Sequence, residues 1–120
     1  MSLSSLSVRA LEVRELYAKI ETKRGGRAWT RGELAQGFVG DVGDLMKLLM
    51  AKDGLRHADD LDARLRHEFG DCLWSLLVLA EASGVDLEKA FNETMDELER
   101  RLKPRKKSRT GLRPVARRRK

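Results

Sequence analysis

The chain has 120 residues, 41% hydrophobic and 5% aromatic, which suits one domain with a single core and excludes an extensively disordered polypeptide. Its net charge of +6 is unevenly spread. Ten Lys or Arg and no acid fall in 103–120, KPRKKSRTGLRPVARRRK, leaving 15 basic and 19 acidic residues in 1–102, a net of −4. Charge-steered binding therefore belongs to the tail and not to the body.

Ala, Leu, Glu, Arg and Lys dominate the composition, and helical periodicity recurs four times. The first predicted helix runs from about Ser5 to Lys23, with Leu6, Ala10, Val13, Tyr17 and Ile20 at i, i+3, i+4 spacing and RGGR at 24–27 ending it. Thr30 begins the second: Thr30-Arg31-Gly32-Glu33 has the form of a capping box, in which hydroxyl and carboxylate each accept from a free backbone N–H. Leu34, Phe38, Val42, Leu45 and Leu49 then form an apolar stripe to about Lys52, where Asp53-Gly54 is a stop signal. The third helix starts near Asp60, carries Leu61, Leu65, Phe69, Leu73, Leu76, Leu77 and Ala80, and ends at Ser83-Gly84. Asp86 caps the fourth, where Leu87, Phe91, Met95, Leu98 and Leu102 repeat until Pro104 forbids continuation. The expected class is all-α, a helical domain over 1–102 followed by a basic tail, 103–120, with too few apolar residues to fold alone.

Cys72 is the one cysteine, so no intrachain disulfide forms and a reducing compartment is the simpler expectation. MSLSSLSVRALEV has no apolar signal core, and the longest apolar run, LLVLA at 76–80, is too short to span a bilayer. A cytoplasmic protein without membrane contact is expected.

The stretch GFVGDVGDL at 37–45 is out of place in a helix. Each interior glycine costs about 1 kcal/mol relative to alanine, yet three of them surround Asp41 and Asp44. Glu68 and Asp71 repeat the pattern: DVGD and EFGD both read acid, apolar, glycine, aspartate. Residues three apart share a helix face, so each pair aims two carboxylates at one spot. If the second and third helices form an antiparallel hairpin turning near Arg56, Asp44 lies level with Glu68 and Asp41 with Asp71. One acidic pair is ordinarily a solvated face. Two at matched heights, each enclosing a glycine, point to a cation, because clustered carboxylates otherwise raise one another's pKa. Hard oxygen donors suit Mg²⁺ or Mn²⁺. Gly43 and Gly70 would then allow close helix approach or room for a ligand, and Gly37 and Gly40 fit equally well a tight helix contact alone.

GDVGDL at 40–45 followed by HEFGDCLW at 67–74 resembles the MazG-like, all-α nucleoside triphosphate pyrophosphohydrolases, a superfamily that includes dCTP pyrophosphatases and dimeric dUTPases. The resemblance covers roughly residues 8–101. It implies a four-helix bundle with a central antiparallel hairpin, completed as a homodimer or homotetramer. It also implies Mg²⁺ held by Asp41, Asp44, Glu68 and Asp71, with hydrolysis of a nucleoside triphosphate to the monophosphate and pyrophosphate. Asp41 and Asp44 stand where relatives carry glutamates, one methylene longer, so the metal would sit closer to this helix or be reached through water. Trp29 falls where some relatives stack an aromatic on the base, though a hydrophobic plug under the loop suits it as well. A Lys and an Asn that grip phosphates on the relatives' fourth helix correspond here to Thr94 and Leu98. Lys47, one turn from Asp44, and Arg64, one turn before Glu68, are the replacement candidates, unless they are surface ion-pair partners.

Cys72 and Trp74 are expected in the core, and His57 and His67 on the surface without a ligand role. Two other functions stay open: a weakly active or inactive nucleotide- or metal-binding member of the fold, and a nucleic-acid-binding helical dimer using the basic tail. The tail suits nucleic acid or another polyanion but lacks aromatics for base stacking. Nothing in the sequence identifies the base or the sugar.

Overall fold

The computed structural model describes residues 2–104, and all but the first two residues of the basic segment lie outside them. Four helices follow in order: α1 (Leu3–Lys23), α2 (Arg31–Lys52), α3 (Leu61–Ala82) and α4 (Leu87–Leu102). No strand occurs among the described residues.

Local chemistry explains where each helix begins and ends. Ser2 accepts from the Ser5 N–H and starts α1 two residues before the apolar pattern does. At α2, Thr30 Oγ1 accepts from the Glu33 N–H at 3.2 Å while Glu33 Oε1 accepts from the Thr30 N–H at 2.9 Å, the expected capping box. Arg27 adds two bonds to the same carboxylate, at 2.8 and 3.0 Å, and these with the Thr30 N–H hold the Glu33 carboxyl at about 2. Asp86 caps α4 by accepting from Lys89. Asp60 departs from this pattern: it sits left-handed at φ 51° and its side chain caps nothing. The glycine stops work as the turn chemistry requires, with Gly25, Gly54 and Gly84 all at positive φ just past a helix.

The α2–α3 hairpin is the most extensive contact. α1 lies against α3, and α4 touches only α1 and α3. Ala10, Leu34, Leu77 and Val78 form the core, with Leu3, Leu6, Trp74, Leu79 and Leu87 packed around it. Trp74 is thus part of the core, as its sequence context suggested, and its indole N–H donates to the Ala10 carbonyl at 3.1 Å. The apolar stripes are only partly inward. α2 buries Leu34 and Leu48, whereas Val42 and Leu49 of the expected stripe stay exposed. On α3, Ser75, Leu77 and Val78 are buried while Phe69, Leu73 and Leu76 face outward. Both hairpin helices therefore carry a second apolar face that one chain does not cover.

Candidate functional site

The hairpin turn runs from Asp53 to Asp60, which centres it close to Arg56 and sets the two acidic strings against each other. Asp41, Asp44 and Glu68 each bring one carboxylate oxygen within 4.8 Å of the others. Ligand oxygens on one Mg²⁺ lie within about 4 Å of one another, given bonds of roughly 2.1 Å, so small side-chain shifts suffice to share an ion. Asp71, the fourth acid of the pattern, is not one of these three, although its charge acts on both Asp41 and Glu68. Its Oδ2 lies 3.0 Å from Nε2 of His67, one turn earlier on the same helix. His67 is exposed, as expected, but it has a carboxylate partner at i, i+4, a spacing legible in the sequence that the reading of His67 as partnerless overlooked.

One bond anchors the trio, and one oxygen in it is left unsatisfied. The hydroxyl of Ser75, buried in the core layer, donates to Asp41 Oδ2 at 3.3 Å. Glu68 Oε1 is buried with no hydrogen-bond partner, and an orphaned buried oxygen is costly unless something positive completes it. Burial, and then the Asp71 carboxylate, push the Asp41 carboxyl above its ordinary range, with Ser75 opposing. Burial, then Asp71, Asp41 and Asp44, push the Glu68 carboxyl up as well. All-oxygen donors, mutual repulsion and one unsatisfied oxygen fit a hard divalent cation.

The glycines beside the acids have open space. A Cβ added at Gly40, Gly43 or Gly70 meets nothing within 4 Å. Close helix approach within the chain, one of the two readings of Gly43 and Gly70, is therefore not their reason. Gly37 differs, because a Cβ there would stand 3.4 Å from Cζ3 of the Trp29 ring. The indole therefore lies against α2 at this position, at a distance an added Cβ would meet as an ordinary contact. Trp29 is half exposed and does not fill the core. Instead it walls a cavity of about 330 Å³, together with Tyr17, Glu21 and Trp74, that opens onto Asp41 and Asp71.

On the other side of the acids lies a second cavity of about 620 Å³, onto which Asp44 and Glu68 open. Lys47 and Arg64 line it, with Arg56 and His57 from the turn and His67 from α3. Neither Lys47 nor Arg64 forms an ion pair within 4.0 Å among the described residues. Thr94 and Leu98 line neither cavity, and α4 makes no packing contact with α2. Cys72 is half-buried rather than enclosed. Burial, followed by the surrounding carboxylates, pushes its thiol up, away from the thiolate form that nucleophilic chemistry needs.

The described residues thus form an all-α hairpin whose acid cluster lies between an aromatic and a basic cavity. The sequence matches the MazG nucleotide pyrophosphohydrolase domain over residues 3–105, and the chain belongs to that family. No curated protein and no solved structure matches it. Among the described residues, no helix is long and apolar enough to cross a membrane.

Sequence reasoning missed Tyr17, Glu21, Arg56 and Ser75. Ser75 had a visible signal, a lone hydroxyl in the apolar run LWSLLVLA, one turn after Asp71. Tyr17 and Glu21 belong to α1, far from the acids in sequence, and only the tertiary fold brings them to the site.

Proposed function

We propose that the chain hydrolyses a nucleoside triphosphate between its α- and β-phosphates, releasing nucleoside monophosphate and pyrophosphate. The position of the acid cluster between the two cavities carries this reading. One cavity offers flat aromatic faces to a base and the other offers cations to phosphates. The reacting phosphorus then falls at the carboxylates. A bound Mg²⁺, or Mn²⁺, would neutralise phosphate charge and make an attacking water more acidic.

The side chains have separate tasks. Asp41, Asp44 and Glu68 would hold the cation, with Ser75 keeping Asp41 turned inward. Asp71 would be available as a further ligand were its carboxylate to leave His67. Trp29 and Tyr17 stack against the base, which needs no sequence-specific geometry. Lys47 and Arg64 grip the pyrophosphate end, in place of a clamp on the fourth helix, because charge-assisted contacts to phosphate are the strong ones. A second copy of the chain covers the outward apolar faces of α2 and α3.

Nucleoside triphosphates offered with Mg²⁺ or Mn²⁺ test the reading, with separate detection of pyrophosphate and orthophosphate. Metal-dependent pyrophosphate release, absent in Glu68→Gln, is expected. Orthophosphate release, or no turnover of any triphosphate, overturns it.

A further inference from the structure

We infer that the basic cavity is built for a phosphate chain longer than pyrophosphate, and that the protein takes nucleoside 5′-tetraphosphates, with Arg56 holding the phosphate that a triphosphate lacks. This rests on the hydrolytic reading above and adds a substrate class to it. The parts of the site follow one another in a line along the hairpin. The aromatic cavity lies by the first turns of α2, Asp41 and Asp44 come next, and the basic cavity runs from Asp44 and Glu68 to the turn. Positions 47 and 64 are symmetric about the turn, so Lys47 and Arg64 stand level with each other. At the helical rise they are about 4.5 and 6 Å nearer the turn than Asp44 and Glu68. That level of cations suffices for the two phosphates released from a triphosphate.

The cavity continues past it. Arg56, His57 and Asp60 line its outer end, beyond Lys52, the last residue of α2, which lies about 12 Å along the axis from Asp44. Its volume of about 620 Å³ is nearly twice the 330 Å³ of the aromatic cavity. Whole drug-sized ligands occupy sites of roughly 300–1,000 Å³, so two linked phosphates leave the outer end unfilled.

The backbone brings Arg56 to that end. The Leu55 N–H donates to the Met50 carbonyl at 2.8 Å and the Gly54 N–H to the Ala51 carbonyl at 3.0 Å, with Gly54 at φ 80°. These bonds reverse the chain directly after α2, and Arg56 follows onto the cavity wall. Other polar groups there are engaged. His57 Nε2 lies 2.8 Å from Asp59 Oδ1, and His67 Nε2 lies 3.0 Å from Asp71 Oδ2. Arg64 Nη1 donates to the Asp59 carbonyl at 3.5 Å. Asp60 is the one acid outside the cluster that lines the cavity. Neither it nor Arg56 has a side-chain hydrogen bond or ion pair among the described residues. Lys47, Arg56 and Arg64 against that single acid favour a polyanion.

The bond broken in a tetraphosphate is the same one. Water adds its oxygen to the α-phosphorus, and the bond from that phosphorus to the α,β-bridging oxygen breaks. The bridging oxygen leaves on inorganic triphosphate, the water's protons pass to solvent, and the nucleoside monophosphate remains.

Inorganic tripolyphosphate and pyrophosphate, titrated by calorimetry at one free Mg²⁺ concentration, probe the cavity without any base. We expect tripolyphosphate to bind about tenfold more tightly, the lower end of what a hydrogen bond to a charged group gives. In Arg56→Ala the ratio should fall to near unity, with the loss mostly on tripolyphosphate, and Arg56→Lys should keep part of it. Lys19 is an exposed cation outside both cavities, and Lys19→Ala should keep the wild-type ratio. The best-cleaved triphosphate and its tetraphosphate counterpart are assayed alongside, with the released chain identified by phosphorus NMR. Equal binding of the two inorganic chains, or a ratio that Arg56→Ala leaves intact, overturns the proposal, while pyrophosphate release from a triphosphate would still stand. A ratio that falls as far in Lys19→Ala reports general charge attraction and overturns it too. An Arg56-dependent ratio without cleavage of either nucleotide supports the long phosphate site and overturns hydrolysis. Failure of both inorganic chains to bind overturns the phosphate cavity itself.

Discussion

Glu68 and Asp41 hold their protons more tightly in the folded chain than carboxyls do in water, because burial and neighbouring acids disfavour the charge. The sign of the linkage follows. A carboxyl whose folded pKa is raised favours the folded state at low pH, and that contribution is lost as pH rises from the ordinary carboxylate range through the raised value. The metal-free protein should therefore lose thermal stability as pH rises above the ordinary carboxylate range, and Mg²⁺ should flatten the slope by compensating the charges. Glu33, shifted the other way to about 2, withdraws its contribution as pH falls below the ordinary carboxylate range, on the other side of this window. Melting curves in chelator and in Mg²⁺ at three pH values check it. Glu68→Gln should remove much of the slope and raise the metal-free melting temperature by a few degrees, equivalent to about 0.5 kcal/mol. A flat profile in chelator would mean that the acids do not oppose one another.

At the scale of elements, the helix ends were legible because their signals are local. Thr30 and Glu33, Asp86, and the glycines at 25, 54 and 84 act through neighbours within a turn or two. The box at Thr30 also fixes where the chain leaves Trp29, so Thr30→Ala should cost about 1 kcal/mol and loosen the aromatic wall together. A fall in melting temperature of roughly 4–8 °C is the check, accompanied by quenching of Trp29 by added iodide. The heights of the acids were legible too, because an antiparallel hairpin couples sequence distance to height. Less legible was which apolar stripe each helix buries. α2 carries Leu34 and Leu48 on one side and Val42 and Leu49 on another, and periodicity does not rank two stripes of similar strength. The i, i+4 spacing of His67 and Asp71 made their contact possible to read, and only the rotamers decide that it forms. The basic cavity is assembled from α2, the turn and α3, and its consequence is kinetic. Lys47→Ala and Arg64→Ala should each lower kcat/KM for a triphosphate by about tenfold, mostly through KM, and have less effect on monophosphate binding. Equal losses for mono- and triphosphate would place these side chains away from the pyrophosphate.

For the molecule as a whole, the exposed apolar surface is the strongest constraint. Val39, Val42, Met46 and Leu49 follow one another at helical spacing on α2, and Phe69, Leu73 and Leu76 do so on α3, all of them more than a third exposed. Val39 lies level with Leu73 and Val42 with Phe69 on the hairpin, so the two rows run side by side in height. Contiguous apolar patches beyond a few hundred Å² are rare on monomers. A helical hairpin with apolar rows on both members can bury them on an identical hairpin related by a two-fold axis, which makes one patch serve both sides. We predict a homodimer or a dimer of dimers in solution, with these rows at the interface. Light scattering coupled to size exclusion measures the mass directly. Val42→Glu with Phe69→Glu places charges in the middle of the rows, and a buried unpaired charge is far more costly than the contact it replaces. That variant should run as a monomer at concentrations where the wild type does not. It should retain its helical circular dichroism, because neither residue belongs to the Ala10, Leu34, Leu77, Val78 core. A wild-type chain that is monomeric at every accessible concentration would leave the rows without a second copy to cover them, and the dimer would be wrong.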